Sequence, residues 1–247
     1  MTASLRSRAE AGERLLGVLL RMPAEELVEM AAIAGFDFIL VDCEHGPSEL
    51  VSLRQHMAVA AIHGVPVLVR IGEGESGLIL RALDQGAEGI LAPHLDTAAD
   101  AAAVVSATHY PPLGTRGFAT YSRAGRFGET DAAAHRDWFL ANTLVLGMIE
   151  SPAGVSAVEE IVATPGLDGI MIGPADLAAA SGPADLPVAA ATAQVNAAIA
   201  AAGKLRMDIV GTPDAAGRAY ADGAQLVVYN LAFSLMSHLR GLLSPRG

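Results

Sequence analysis

Eight short apolar runs recur along this chain, at 15–20, 38–42, 67–71, 89–92, 143–149, 169–172, 205–210 and 225–229. Longer Ala-rich amphipathic segments lie between them, at 24–34, 48–63, 77–85, 97–106, 155–163, 188–202 and 214–220. Several open with a cap-like Ser, Thr or Asp. Alternation of this kind is the pattern of repeated βα units around a parallel sheet. The fragments AGFD, QGAEG, PGLDG and DGAQL fall just before strands, where a glycine can end a helix in a left-handed turn. One irregular stretch, 109–128, breaks the period, and loops of that length are usually functional or disordered.

Eight strands in such a series permit a closed barrel or a doubly wound open sheet. No G-x-G-x-x-G follows any strand, so the α/β class is read as a (β/α)8 TIM barrel, one domain over 1–247. The composition agrees: 52% of residues are hydrophobic but only 4% aromatic, so Ala, Val, Leu and Ile must fill the core. A net charge of −11 without a Lys/Arg run offers nothing to a phosphate backbone or an anionic bilayer, and neither nucleic acid nor membrane is expected as a partner. Cys43 is the single cysteine, which excludes an internal disulfide, and the first residues lack the apolar core of a signal peptide. A cytoplasmic location is expected.

The barrel reading has a positional consequence, because active sites of such barrels lie at the C-terminal ends of the strands. The second run ends VDCEHG, the third VLVRIGEG, the fifth GMIESP and the sixth IMIGPADL. Asp42, Glu44, His45, Arg70, Glu150 and Asp176 should therefore share one rim. Six ionisable groups there would repel or desolvate one another unless a cation and an anionic ligand organised them. Two carboxylates completed by water or substrate oxygens suit Mg²⁺ or a similar hard cation. Among the other histidines, His94 ends the fourth strand and could line the pocket; His56, His63, His109, His135 and His238 read as structural. Cys43 reads as a packing residue, since strand neighbours point to opposite faces and it cannot pair with His45 as a nucleophile.

These motifs, together with YPPLGTRGF in the long loop, resemble the HpcH/HpaI aldolases, the class II metal-dependent pyruvate aldolases, over nearly the whole chain. The resemblance implies a barrel of the phosphoenolpyruvate/pyruvate type whose C-terminal helix packs on a neighbouring subunit, in a homo-oligomer expected to be a hexamer. It implies Glu150 and Asp176 as ligands of a divalent cation (Mg, Mn or Co), His45 as base and Arg70 as stabiliser of the enolate. Asp42 joins the catalytic set. Asp84 matches an aspartate that in relatives reaches a neighbouring subunit's histidine and raises its basicity. Arg70, Met148, Gly173, Pro174, Ala175 and Asp176 would contact the substrate. The implied reaction is reversible cleavage of a 4-hydroxy-2-oxo acid to pyruvate or hydroxypyruvate plus an aldehyde.

Several positions depart from the family pattern. Met148 replaces a substrate-contacting glutamine, Leu19 an aromatic, and Met207 with Asp208 a glycine-containing turn; 229–232 read Tyr, Asn, Leu, Ala. These changes are expected on the aldehyde side of the pocket. The only lysine, Lys204, precedes the seventh strand and belongs at the opposite rim, which disfavours Schiff-base chemistry. Competing readings are an oxaloacetate decarboxylase, a lyase for CoA thioesters, or a non-catalytic metal and keto-acid binding module. Arg116, Arg123 and Arg126 make the long loop basic, which suits a phosphate or a subunit contact.

Overall fold

The computed structural model describes residues 3–46 and 50–243. Eight parallel strands close into a barrel in chain order, with β8 returning to β1. In order they are β1 Leu15–Leu20, β2 Phe38–Asp42, β3 Val67–Arg70, β4 Gly89–Ala92, β5 Leu144–Ile149, β6 Gly169–Ile172, β7 Leu205–Val210 and β8 Leu226–Asn230. The helices are α1 Leu5–Glu10, α2 Glu25–Ala34, α3 Leu50–Ile62, α4 Ser76–Gln85, α5 Ala98–Thr108, α6 Ala132–Asn142, α7 Pro152–Ser156, α8 Val158–Val162, α9 Pro174–Ala180, α10 Val188–Ala201, α11 Pro213–Ala221 and α12 Leu231–Leu243. No helix among the described residues is long and apolar enough to cross a membrane.

The strands read as unbroken apolar runs because both of their faces are covered. Leu15, Phe38, Leu68, Leu91, Leu146 and Met207 fill the lumen with their in-register neighbours, while Val18, Ile39, Val69, Ile90 and Ile170 face the helices. The last inward residues of the strands reach the C-terminal rim: Asp42 on β2, Arg70 on β3, Met148 on β5. The expected helix-ending glycines hold left-handed turns, with φ of 95° at Gly35, 103° at Gly86, 86° at Gly166 and 98° at Gly223.

Three elements were not expected from sequence. Helix α1 plugs the N-terminal mouth of the barrel with buried Leu5 and Ala9. Helix α6 begins at Asp131, whose side chain caps Ala133 and Ala134 N–H, and α9 begins at Pro174. The helix expected over 155–163 is instead two short ones that meet at Ala157. The expected start of the helix at Ser48 lies outside the described residues.

The long loop is anchored from inside. The fully buried Arg116 side chain sits 4.6 Å from the Tyr110 ring and 4.3 Å from Phe139, and donates to Asp84 Oδ1 at 2.6 Å. Arg123 donates to the Gln85 carbonyl at 2.9 Å. Two of the loop's three arginines thus hold the loop to the barrel rather than offering charge to a phosphate.

Candidate active site at the C-terminal rim

Asp42 organises the site. As the last residue of β2 it points into the lumen beside Arg70 on β3, and the two are in register. Its carboxylate is wholly buried and accepts five donors: Arg70 Nε at 2.9 Å and Nη2 at 2.5 Å, Arg21 Nε at 2.7 Å, and the backbone N–H groups of Glu44 and His45 at 3.1 and 3.2 Å. Burial alone would raise its pKa; the hydrogen bonds and charge of Arg70, then the Arg21 and His45 bonds, hold it below the ordinary carboxylate value. Asp42 therefore fixes both the guanidinium and the turn that carries Glu44 and His45. The fork it grips leaves Arg70 Nη1 facing the site, 3.2 Å from Glu44 Oε2 and 3.8 Å from Met148 Sδ.

Glu150 follows β5 and is almost completely buried. Its pKa is raised, chiefly by burial and further by the negative charges of Glu44 and Asp176, against hydrogen bonding and charge from His94. A side chain on Gly173 would collide with it: an added Cβ would lie 2.6 Å from Glu150 Oε2. The glycine that starts the IGPADL segment thus makes room for the carboxylate. Pro174, Ala175 and Asp176 form the exposed first turn of α9 beyond it.

Glu44 reaches inward from the turn after β2. Its Oε2 is buried without a hydrogen-bond partner, the Arg70 contact being off the bonding direction. His94, just past β4, places Nδ1 3.4 Å from Glu150 Oε1 and Nε2 3.9 Å from Glu44 Oε1. Donor atoms of Glu44, His94 and Glu150 all lie within 4.8 Å of one another, a grouping able to hold a metal ion. Asp176, in the first turn of α9, stands outside this tight group among the described residues but is near enough to act on Glu150 through its charge. His45 is exposed on the rim, 3.8 Å from Glu44.

Asp84 is elsewhere. It ends α4, on the segment that leads to the start of β4, and is engaged by Arg116 of its own chain. Of the departures from the family pattern, Leu19 and Met207 line the lumen, but Tyr229 packs outside the barrel against Phe36 and Asp208 pairs with Arg206, its outward neighbour on β7. Those two cannot shape the pocket; Ile209 and Asn230, the next inward positions, take their place.

The profile of the HpcH/HpaI aldolase/citrate lyase family matches residues 16–240. The chain belongs to this family. A hydroxypyruvate/pyruvate aldolase of Agrobacterium fabrum is 39% identical over 170 residues, covering 68% of this chain and 63% of that protein. A 2-keto-3-deoxy-L-rhamnonate aldolase of Escherichia coli is 37% identical over 183 residues, covering 73% and 67%. The matched region thus spans about two thirds of these relatives' length. A solved HpcH/HpaI family protein from Burkholderia cenocepacia is 33% identical and superposes with a TM-score of 0.88 over 99% of each chain. For an HpcH/HpaI protein, the carboxylates, arginine and histidines gathered at the C-terminal rim stand where barrel chemistry is carried out.

Proposed function

We propose that this protein is a divalent-metal-dependent class II aldolase that cleaves a 4-hydroxy-2-oxo acid reversibly to pyruvate or hydroxypyruvate plus an aldehyde. The observation that carries the reading is the pairing of Arg70 Nη1, held by Asp42, with buried carboxylates that lack sufficient partners of their own. The orphaned Glu44 Oε2 and the desolvated Glu150 fit a cation, and Glu150 with Asp176 would hold it. When bound, the cation supplies a Lewis acid for the 2-oxo group.

The chain's own residues then do the following. His45 accepts the proton of the substrate's 4-hydroxyl, the C3–C4 bond breaks, and the aldehyde leaves while the bonding pair moves toward the 2-oxo oxygen. Arg70 stabilises the negative charge that grows there, in a site dry enough for that charge to matter. A proton returned to C3 completes pyruvate. Gly173, Pro174 and Ala175 flank the substrate carboxylate, and Met148 gives the pocket an apolar wall. Asp84 serves a neighbouring subunit's histidine. The partner subunit is supplied by a homo-oligomer, a hexamer on family grounds: α12 has no buried residue and exposes Phe233, Met236, Leu239 and Leu243 at helical spacing.

The deciding experiment is exchange of pyruvate methyl protons in deuterated solvent with Mg²⁺ or Mn²⁺ and again after chelation. Exchange is expected only with metal. Exchange unchanged after complete metal removal would overturn the metal dependence, and none with any metal would make the protein a binding module.

A further inference from the structure

We infer that His94, with Glu44, completes the cation site around Glu150, so that the centre is a mixed nitrogen and oxygen one that favours Mn²⁺ or Co²⁺ over Mg²⁺; this rests on the aldolase reading above.

The first argument is distance. Two donors each about 2.1 Å from one cation lie roughly 3–4 Å apart. His94 Nδ1 is 3.4 Å from Glu150 Oε1, and one donor atom from each of Glu44, His94 and Glu150 lies within 4.8 Å of the others. Glu44 Oε2 is buried and lacks any hydrogen bond, with Arg70 Nη1 3.2 Å away but off the bonding direction, so the carboxylate keeps capacity for a cation.

The second argument is that the backbone holds His94 in place at a cost. It has φ of 51°, a left-handed conformation that a non-glycine side chain seldom adopts. That conformation aims its own N–H at Glu150 Oε1, 2.8 Å away. Backbone strain of this kind persists only where the surroundings impose it. Three contacts do so here. Leu95 N–H donates to the Met148 carbonyl at 3.0 Å, Ser151 Oγ bonds Asp96 Oδ1 at 2.5 Å, and the Leu95 side chain fills the space that a Cβ on Gly147 would need, only 2.0 Å from Cδ1. The segment immediately after His94 is thereby clamped to β5 and to the turn that follows it. A side chain half-exposed at 41% would otherwise be free to turn into solvent. Instead it is presented to Glu150 by a rigid support, as a preorganised ligand requires.

The consequence concerns metal choice. Oxygen-only sites suit Mg²⁺, while an imidazole adds affinity for first-row transition ions. The test uses Mn²⁺ as its own probe. Pulsed electron paramagnetic resonance of the Mn²⁺-loaded protein should show coupling to an imidazole nitrogen, and titration calorimetry should give the Mn²⁺ and Mg²⁺ affinities. His94→Asn keeps a residue that accepts the left-handed backbone, and His94→Gly removes the side chain without strain. Both variants should lose the nitrogen coupling and weaken Mn²⁺ by at least about tenfold, with Mg²⁺ less affected. Mn²⁺ bound in a Glu150-dependent manner without nitrogen coupling in the unaltered protein would overturn the inference and leave the aldolase reading intact. Mn²⁺ binding that Glu150→Gln does not weaken would instead overturn the metal site of that reading, and this inference with it.

Discussion

The two mouths of the barrel carry similar charged groups and treat them differently. At the N-terminal mouth, Asp168 accepts Arg6 at 2.7 Å and Val145 N–H at 2.8 Å, Asp37 accepts Arg8 at 2.7 Å and Leu16 N–H at 2.9 Å, and Glu88 accepts Leu5 N–H at 3.3 Å. Each carboxylate is answered by its own chain, and the donors tie α1 across the opening. A cavity of about 550 Å³ opens there, lined by Arg6, Asp168, Lys204 and Arg206, yet these groups are already paired. Of Asp42, Glu44 and Glu150 at the C-terminal mouth, only Asp42 is saturated. Glu44 and Glu150 face each other and His94 with negative charge left over. Cavity size is therefore a poor guide in this molecule; incomplete pairing of buried charge is the better one.

The contrast breaks most sharply at Glu150. Glu150→Gln should lower kcat/KM by about a thousandfold or more, roughly 4 kcal/mol of transition-state stabilisation, because a cation ligand is gone. The metal-free variant should nonetheless melt no lower than the unaltered protein, since burial and the charges of Glu44 and Asp176 penalise the carboxylate in the folded state. A drop of several degrees in the metal-free melt would mean that Glu150 is paired for stability, as Asp42 is.

Asp42 and Asp168 sharpen the comparison through pH. Asp42→Asn at neutral pH should cost about 3 kcal/mol, because Arg70 is left buried with a broken pair. The folded pKa of Asp42 is lowered, so its contribution is present above the ordinary value of 3.8 and is lost as pH falls through the lower folded value. Asp168 has the opposite sign. Burial raises its pKa to about 6, against the charge of Arg6 and the Val145 hydrogen bond, so the folded chain binds a proton that the unfolded chain does not between about 4 and about 6. Its contribution to stability thus rises as pH falls through that window, by on the order of 3 kcal/mol, and is lost again as pH climbs through 6. Urea unfolding of Asp168→Asn from pH 4 to 7 should lack this increment; equal slopes for variant and parent would remove Asp168 from the titration.

How much of this could be read from the chain follows from what each feature depends on. Strand bounds were legible to within a residue because burial on both faces writes each strand as a continuous apolar run, and αβ glycines such as Gly86 mark the ends. Helix α6 was not, although Asp131 before AAAHRDWFLAN is a serviceable cap, because it adjoins a loop whose anchors are distant. Arg116 finds Asp84 across 32 positions, and no local pattern announces that. At the site, the rim location of Asp42, Arg70 and Glu150 was visible from strand ends. The approach of Glu44 and His94 to Glu150 was not, since it depends on a left-handed residue after β4 and on loops from three strands meeting. The inward or outward sense of Asp208 and Tyr229 depends on register, where a single position changes the face.

Lys204 gives the smallest expected effect and bears on the chemistry by its silence. Its ammonium donates to the Leu167 carbonyl at 2.6 Å, just ahead of β7 at the N-terminal mouth, and its charge acts on Asp168. That is a structural bond of the same kind as those made by Arg6 and Arg8. Lys204→Met should cost roughly 1 kcal/mol from the lost charged hydrogen bond and leave kcat/KM within about twofold, an RT ln 2 of roughly 0.4 kcal/mol. Borohydride with pyruvate should trap no adduct on the unaltered protein. An adduct on Lys204, or a variant without activity but with a normal melt, would move the chemistry to the mouth whose charges are already paired, and the distinction between the two ends of the barrel would fall with it.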